Sequence, residues 1–235
     1  MKLKEDNKRI ATLQADVELL KKQIEKLSKQ KVHEDSIKPS KPVSHHRANK
    51  PPPPPPSPSS SSQAFLFDGN DKNSFCGIIH HLTLDCGGNV HDKGVVDVTA
   101  SSTSVENDFQ PKYAVDLDKT NIFASCDLPD SWLMYDFKSK KVRPTHYSIR
   151  SRHNVNCHQP KNWVIEGSNT NQKDDWIELD SQSEVQYLHG LNKQHTFELK
   201  TDKSFRYLRI RQNGLNTRNQ HYFIFSALEF FGYLI

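Results

Sequence analysis

The stretch Arg206-Tyr207-Leu208-Arg209-Ile210-Arg211-Gln212 sets the fold class. Leu208 and Ile210 alternate with Arg209 and Arg211, the period of a strand with one face in a core and one in water. Runs of similar length lie on both sides of it: Val95–Ala100, Trp132–Phe137, His146–Arg150, Trp163–Gly167, Trp176–Leu179, His195–Lys200 and Ala227–Gly232. They are punctuated by Asn, Asp, Gly and Pro, which favour turns. No helical period longer than about two turns occurs after residue 65, and Ile78-Ile79 with Leu82 reads as an entry turn or short helix. The pattern predicts an all-β sandwich over residues 65–235.

Six pieces, in order, carry a family resemblance. They are Val98-Thr99-Ala100-Ser101-Ser102, Ala114-Val115-Asp116, Trp132-Leu133-Met134-Tyr135-Asp136-Phe137, Trp163-Val164-Ile165-Glu166-Gly167-Ser168-Asn169, Phe205-Arg206-Tyr207-Leu208-Arg209-Ile210 and Ala227-Leu228-Glu229-Phe230-Phe231-Gly232. Together they resemble discoidin-type, or F5/8 type C, domains from about Gly77 to Gly232. Gly77-Ile78-Ile79-His80 and Arg143-Pro144-Thr145-His146-Tyr147-Ser148-Ile149-Arg150 resemble an intracellular branch found in BTB-type and protist proteins. The resemblance implies a discoidin-like jelly-roll β-sandwich. Extracellular relatives staple the domain ends with a disulfide. Here Cys76 and Cys86 lie near the start and no cysteine lies near the C-terminus. With Cys126 and Cys157 the expectation is free thiols.

The N-terminal quarter has another composition. Residues 1–64 contain no Phe, Tyr or Trp, and they account for an overall hydrophobic fraction of 34%, below the usual ~45–50%. Ile10, Val17 and Ile24 at a positions and Leu13, Leu20 and Leu27 at d positions form a heptad seam, with Leu3 one heptad earlier. β-branched a with Leu at d favours a parallel dimer, so residues 1–30 are expected to be a coiled coil joining a homodimer through residues 3–30. Residues 31–64 read as a disordered Pro/Ser-rich linker, with Pro51 to Pro56 in the extended polyproline conformation.

Several functions are disfavoured. The net charge is +4, with Lys densest in the first 50 residues, where a basic segment is ordinarily solvated. No RNP motif, zinc finger or basic zipper region is present, so nucleic acid is not an expected partner. No run of 18 apolar residues exists and the first residues are charged, which predicts no membrane span and a cytoplasmic location. His80, His81, Cys86 and His91 match no structural zinc spacing. Cys157-His158 adjacency does not make a nucleophile and base. No P-loop, H-E-x-x-H or G-x-S-x-G occurs. No cofactor, metal or catalytic residue is expected, and the protein reads as a non-enzymatic binding module.

The resemblance places the binding surface on loops at one end of the sandwich: Ser102–Lys112, Asp118–Cys126, Arg152–Gln159 and Asn213–Gln220. Arg152, His153, Asn154, His158, Asn213, Asn216 and Arg218 are the candidate ligand-binding residues. Their donors and amides suit a protein partner or, using the same loops, a carbohydrate. Three structural expectations accompany these. Trp132, Trp163 and Trp176 are core residues, Asp136 pairs with Arg209, and Glu229 pairs with a basic strand residue.

Overall fold

A computed structural model describes residues 62–105, 108–118 and 120–235. The expected coiled coil, and all but the last residues of the expected linker, lie outside these described residues.

Among the described residues are eleven strands and one α-helix: β1 (Gln63–Phe65), α1 (Ile78–Cys86), β2 (Asp97–Ala100), β3 (Phe123–Ala124), β4 (Trp132–Asp136), β5 (Val142–Arg150), β6 (Trp163–Ser168), β7 (Ile177–Gln182), β8 (Gln194–Glu198), β9 (Tyr207–Gln212), β10 (Ile224–Phe225) and β11 (Ala227–Leu234). One sheet has the order β1-β11-β5-β8, the other β2-β4-β9-β6-β7, and β10-β3 is a separate two-stranded ribbon. Every named pairing is antiparallel. The two large sheets face each other across one apolar core, and the expected β-sandwich is present.

The alternation in β9 behaves as its period requires. Leu208 and Ile210 are fully buried, while Tyr207, Arg209 and Arg211 are half-buried on the outer face. Three aromatic residues tie the layers. The Trp163 indole Nε1 donates to the Tyr147 hydroxyl at 2.9 Å, and that hydroxyl donates to Asp180 at 2.6 Å. The Tyr135 hydroxyl donates to the Leu228 carbonyl at 3.2 Å, with its ring edge-on to Phe230. The Tyr135 and Tyr147 hydroxyls and the Trp163 indole therefore each have a partner, as a dry core demands.

Register explains where the sequence expectations shift. Leu133 and Tyr135 point inward from β4, so Trp132, Met134 and Asp136 must point outward. Of the three tryptophans only Trp163 is fully buried; Trp132 and Trp176 are half-buried, and Trp176 lies under the Arg209 guanidinium at 3.9 Å. Asp136 stands opposite Tyr207 and pairs bidentately with Arg206 at 2.7 and 2.8 Å. Arg209 stands opposite Met134 and Glu166, and pairs with Glu166 at 2.8 Å. The expected Asp136–Arg209 pair is therefore replaced by two others. Glu229 meets no basic residue. It is wholly buried and accepts the backbone N–H groups of Ile79 and His80 at the start of α1, and of Phe230. A helix N-terminus is a good seat for a carboxylate. Burial nonetheless pushes Glu229 up to about 7, against the backbone N–H bonds that pull it down.

Two glycines serve the frame. Gly87 ends α1 at φ 66, and its left-handed turn satisfies the Leu84 carbonyl. Gly232, at φ 139, sits where β11 shifts register against β5. Opposite it lies Pro144, which a regular ladder would not accept but a bulge does. β5 therefore runs from Val142, beyond the His146 start expected from the sequence. β1 takes in Gln63 and Ala64, the two residues before the expected domain start.

Candidate functional site

Antiparallel pairing collects the loops at one end. Ala100 ends β2 opposite Leu133, beside the first residue of β4. Gln212 ends β9 opposite Trp163, the first residue of β6. Arg150 ends β5 opposite Ala227 and Gln194, the first residues of β11 and β8. The segments after β2, β5, β7 and β9 must then all emerge together.

The segments after β2, β5 and β9 meet at a cleft of about 330 Å³. All four expected loops reach it: Ser104 and Phe109 from the first, Ala124 from the second, Arg152 and His158 from the third, Gln220 from the fourth. Tyr222 and Ile224, just beyond the fourth loop, complete the wall. The ribbon of β3 and β10 makes the floor. Ala124 pairs with Ile224, and with Ile122 they form a small apolar cluster separate from the main core, with Phe109 and Tyr222 packed on it. Phe109, Ala124, Tyr222 and Ile224 thus give one apolar side, and Arg152, His158, Gln220 and Ser104 give the polar groups.

The polar groups are held in place. Arg152 is largely buried, and its Nε donates to Asn154 Oδ1 at 2.9 Å. His158 has φ 57, and its ring stands edge-on to Tyr222 at 5.5 Å. Burial, and then the Arg152 and Arg218 cations, hold this imidazole below its ordinary pKa, with Asp127 opposing. At neutral pH it is uncharged, offering one donor and one acceptor nitrogen. Beneath the second loop the buried Arg150 donates to Ser226 Oγ at 2.9 Å and to the Leu117 and Asp118 carbonyls at 3.3 Å. It pins that loop from inside.

The seven candidate residues separate into groups. Arg152 and His158 line the cleft. Asn154 is exposed and orients Arg152. Asn216 is fully buried beneath the surface. Its Nδ2 donates to the Tyr222 carbonyl at 2.9 Å, and its Oδ1 accepts the Arg218 and Gln220 N–H groups at 2.8 and 3.2 Å. It shapes the turn that presents those residues. Arg218 is exposed on a neighbouring cleft of about 370 Å³, with Asn156, Gln159, His189, Gly190 and Thr217. His153 is half-buried with no partner for its buried Nδ1, and Asn213 is exposed and lines neither cleft. Tyr222 escapes a sequence reading because it adjoins Phe223, which is fully buried.

No family model matches the chain, and no curated protein matches its sequence. Solved structures do match in shape. A fucolectin from striped bass, Morone saxatilis, is 15% identical with a TM-score of 0.50 over 62% of this chain and 48% of that one, so the chain spans about half the fucolectin's length. A family 32 carbohydrate-binding module from Clostridium perfringens, solved with GalNAc-β-1,3-galactose, is 11% identical with a TM-score of 0.47 over 59% of this chain and 96% of that one. A family 62 carbohydrate-binding module from Clostridium thermocellum is 20% identical with a TM-score of 0.46 over 57% of this chain and 92% of that one. The order of strands, the paired sheets and the likeness to the fucolectin agree: the described residues adopt a discoidin-like β-sandwich fold.

Proposed function

We propose that this protein is a non-enzymatic binding module that takes a carbohydrate in the cleft at the loop end of its sandwich. One observation carries the reading: four loops set Arg152 and an uncharged His158 against an apolar side made by Phe109, Tyr222 and Ile224. A sugar ring has the matching anatomy, hydroxyls at its edge and C–H groups on its faces. Aromatic rings take the faces, while a guanidinium, an imidazole and an amide take the hydroxyls. The cleft of about 330 Å³ fits a small ligand better than the broad contact of a protein interface. A lectin of the same fold agrees with the choice. The protein partner expected from the sequence is the competing outcome.

In this reading the heptads of residues 3–30 pair two chains, and the polyproline segment holds the two binding heads apart. Two tethered heads raise apparent affinity for a repeated glycan without any new contact. The full chain on an array of immobilised glycans tests the reading. Binding is expected to be displaced by free sugar and lost in Arg152→Gln with the melting temperature kept. A chain that captures no glycan, yet holds a defined polypeptide through the same loops, overturns it in favour of the protein partner.

A further inference from the structure

The second cleft adjoins the first. His158 and Gln159 are consecutive residues, yet His158 lines the first cleft and Gln159 the second. One turn likewise gives Gln220 to the first and Thr217 and Arg218 to the second. The wall between them is firmly built. Gln159 is almost wholly buried, its N–H donates to Thr217 Oγ1 at 3.0 Å, and Thr217 Oγ1 donates to Gln159 Oε1 at 3.1 Å. Asn216 holds the same turn from below. The two clefts thus share a rigid partition carried by two cross-linked loops.

Their charge is one-sided. Arg152 lines one cleft and Arg218 the other, each beside a histidine, His158 and His189. Among the described residues, no carboxylate side chain lines either. Burial, and then both guanidinium groups, hold the His158 imidazole below its ordinary pKa, with Asp127 opposing. The carboxylate it also feels, Asp127, is engaged by the His221 backbone N–H at 2.6 Å. Arg152 spends its Nε on neutral Asn154, and Arg218 has no carboxylate within ion-pair distance among the described residues. Guanidinium groups with no carboxylate at ion-pair distance among the described residues favour an anionic group in a planar two-point contact.

We infer that the two clefts act as one groove for an acidic oligosaccharide, with one sugar unit against Tyr222 and Arg152 and an anionic group of the next held by Arg218. This rests on the carbohydrate reading above and narrows its ligand class. A carboxylate and a sulfate ester present the same chemistry to a guanidinium, so the test separates them.

The full chain is titrated calorimetrically with three tetrasaccharides: one from hyaluronan, bearing carboxylates only, one from keratan sulfate, bearing sulfate esters only, and neutral lacto-N-tetraose. At least one anionic tetrasaccharide is expected to bind on the order of tenfold more tightly than the neutral one. The advantage should shrink at about 1 M salt, where screening is nearly complete over about 3 Å. Arg218→Gln should remove the advantage and leave neutral binding in place, whereas Arg152→Gln should weaken all three ligands. Equal affinity for all three, or an advantage untouched by Arg218→Gln, overturns the acidic-ligand inference while the carbohydrate reading stands. No binding by any of the three, nor by any glycan on the array, removes both.

Discussion

The domain contains two apolar clusters that differ in how completely they close. The main core takes residues from both sheets, and Trp163, Tyr135, Tyr147, Phe225 and Phe230 are wholly buried there. The second cluster has only Ile122, Ala124 and Ile224 buried, and Phe109 and Tyr222 rest on it half-exposed. Burial of a large aromatic side chain drives folding. Leaving one face of it open keeps apolar surface that a ligand in the proposed site would cover. The first cluster explains why the chain folds, and the second explains what the fold presents.

If that division holds, substitutions in the two clusters should have opposite signatures. The largest effect on stability falls in the core. Trp163→Ala removes the indole and its bond to Tyr147, and thermal or urea unfolding should show a loss of about 3–5 kcal/mol. A loss under about 1 kcal/mol would place Trp163 outside the stabilising core. Asn216 comes next, because it serves both regions. Asn216→Ala leaves the Tyr222 carbonyl and the Arg218 and Gln220 N–H groups without their partner, at about 1–3 kcal/mol, and should also weaken ligand binding. Glycan binding unchanged in that variant would show that the turn does not shape the site.

Glu229 gives the core a pH signature. Its folded pKa of about 7 lies above the ordinary 4.5. Between those values the folded chain keeps a proton that the unfolded chain has released, so this group's contribution is full below 4.5 and is lost as pH rises through 7. Relative to Glu229→Gln, the wild type should therefore lose stability between about pH 5 and pH 8 in parallel melting curves. Curves that stay parallel across that range contradict the assignment. The loop end should show the smaller pH effect. His158 titrates below its usual range, so binding should hold steady down to mildly acid pH and change only as His158 gains its proton. A binding curve that bends at or above the ordinary histidine range would mean that another group governs the site.

Sequence periodicity reveals the two clusters unequally. Leu208 and Ile210 declare a strand and its buried face by alternation, whereas β6 and β11, buried along nearly their whole length, show as short apolar runs. β3 and β10 have two residues each, too few for any period, so the floor of the cleft was invisible. Trp132 and Trp163 look alike in sequence, and only the register of β4 turns one outward. Loop membership brought Arg152 and His158 to notice. It could not show that Asn216 faces inward, since the turn's own N–H groups claim its amide. Tyr222 follows from the ribbon geometry, which the chain acquires only on folding.

Tyr222 is therefore where the account is most directly tested. The full chain and its Tyr222→Ala variant would be titrated with the tightest sugar found on the array, beside thermal melts of both. The account predicts that the variant melts within a few degrees of the wild type, a change of about 1 kcal/mol or less, and loses its binding heat. Binding that survives with the same affinity, or a variant that fails to fold, would contradict the claim that the open cluster at the loop end is a ligand site.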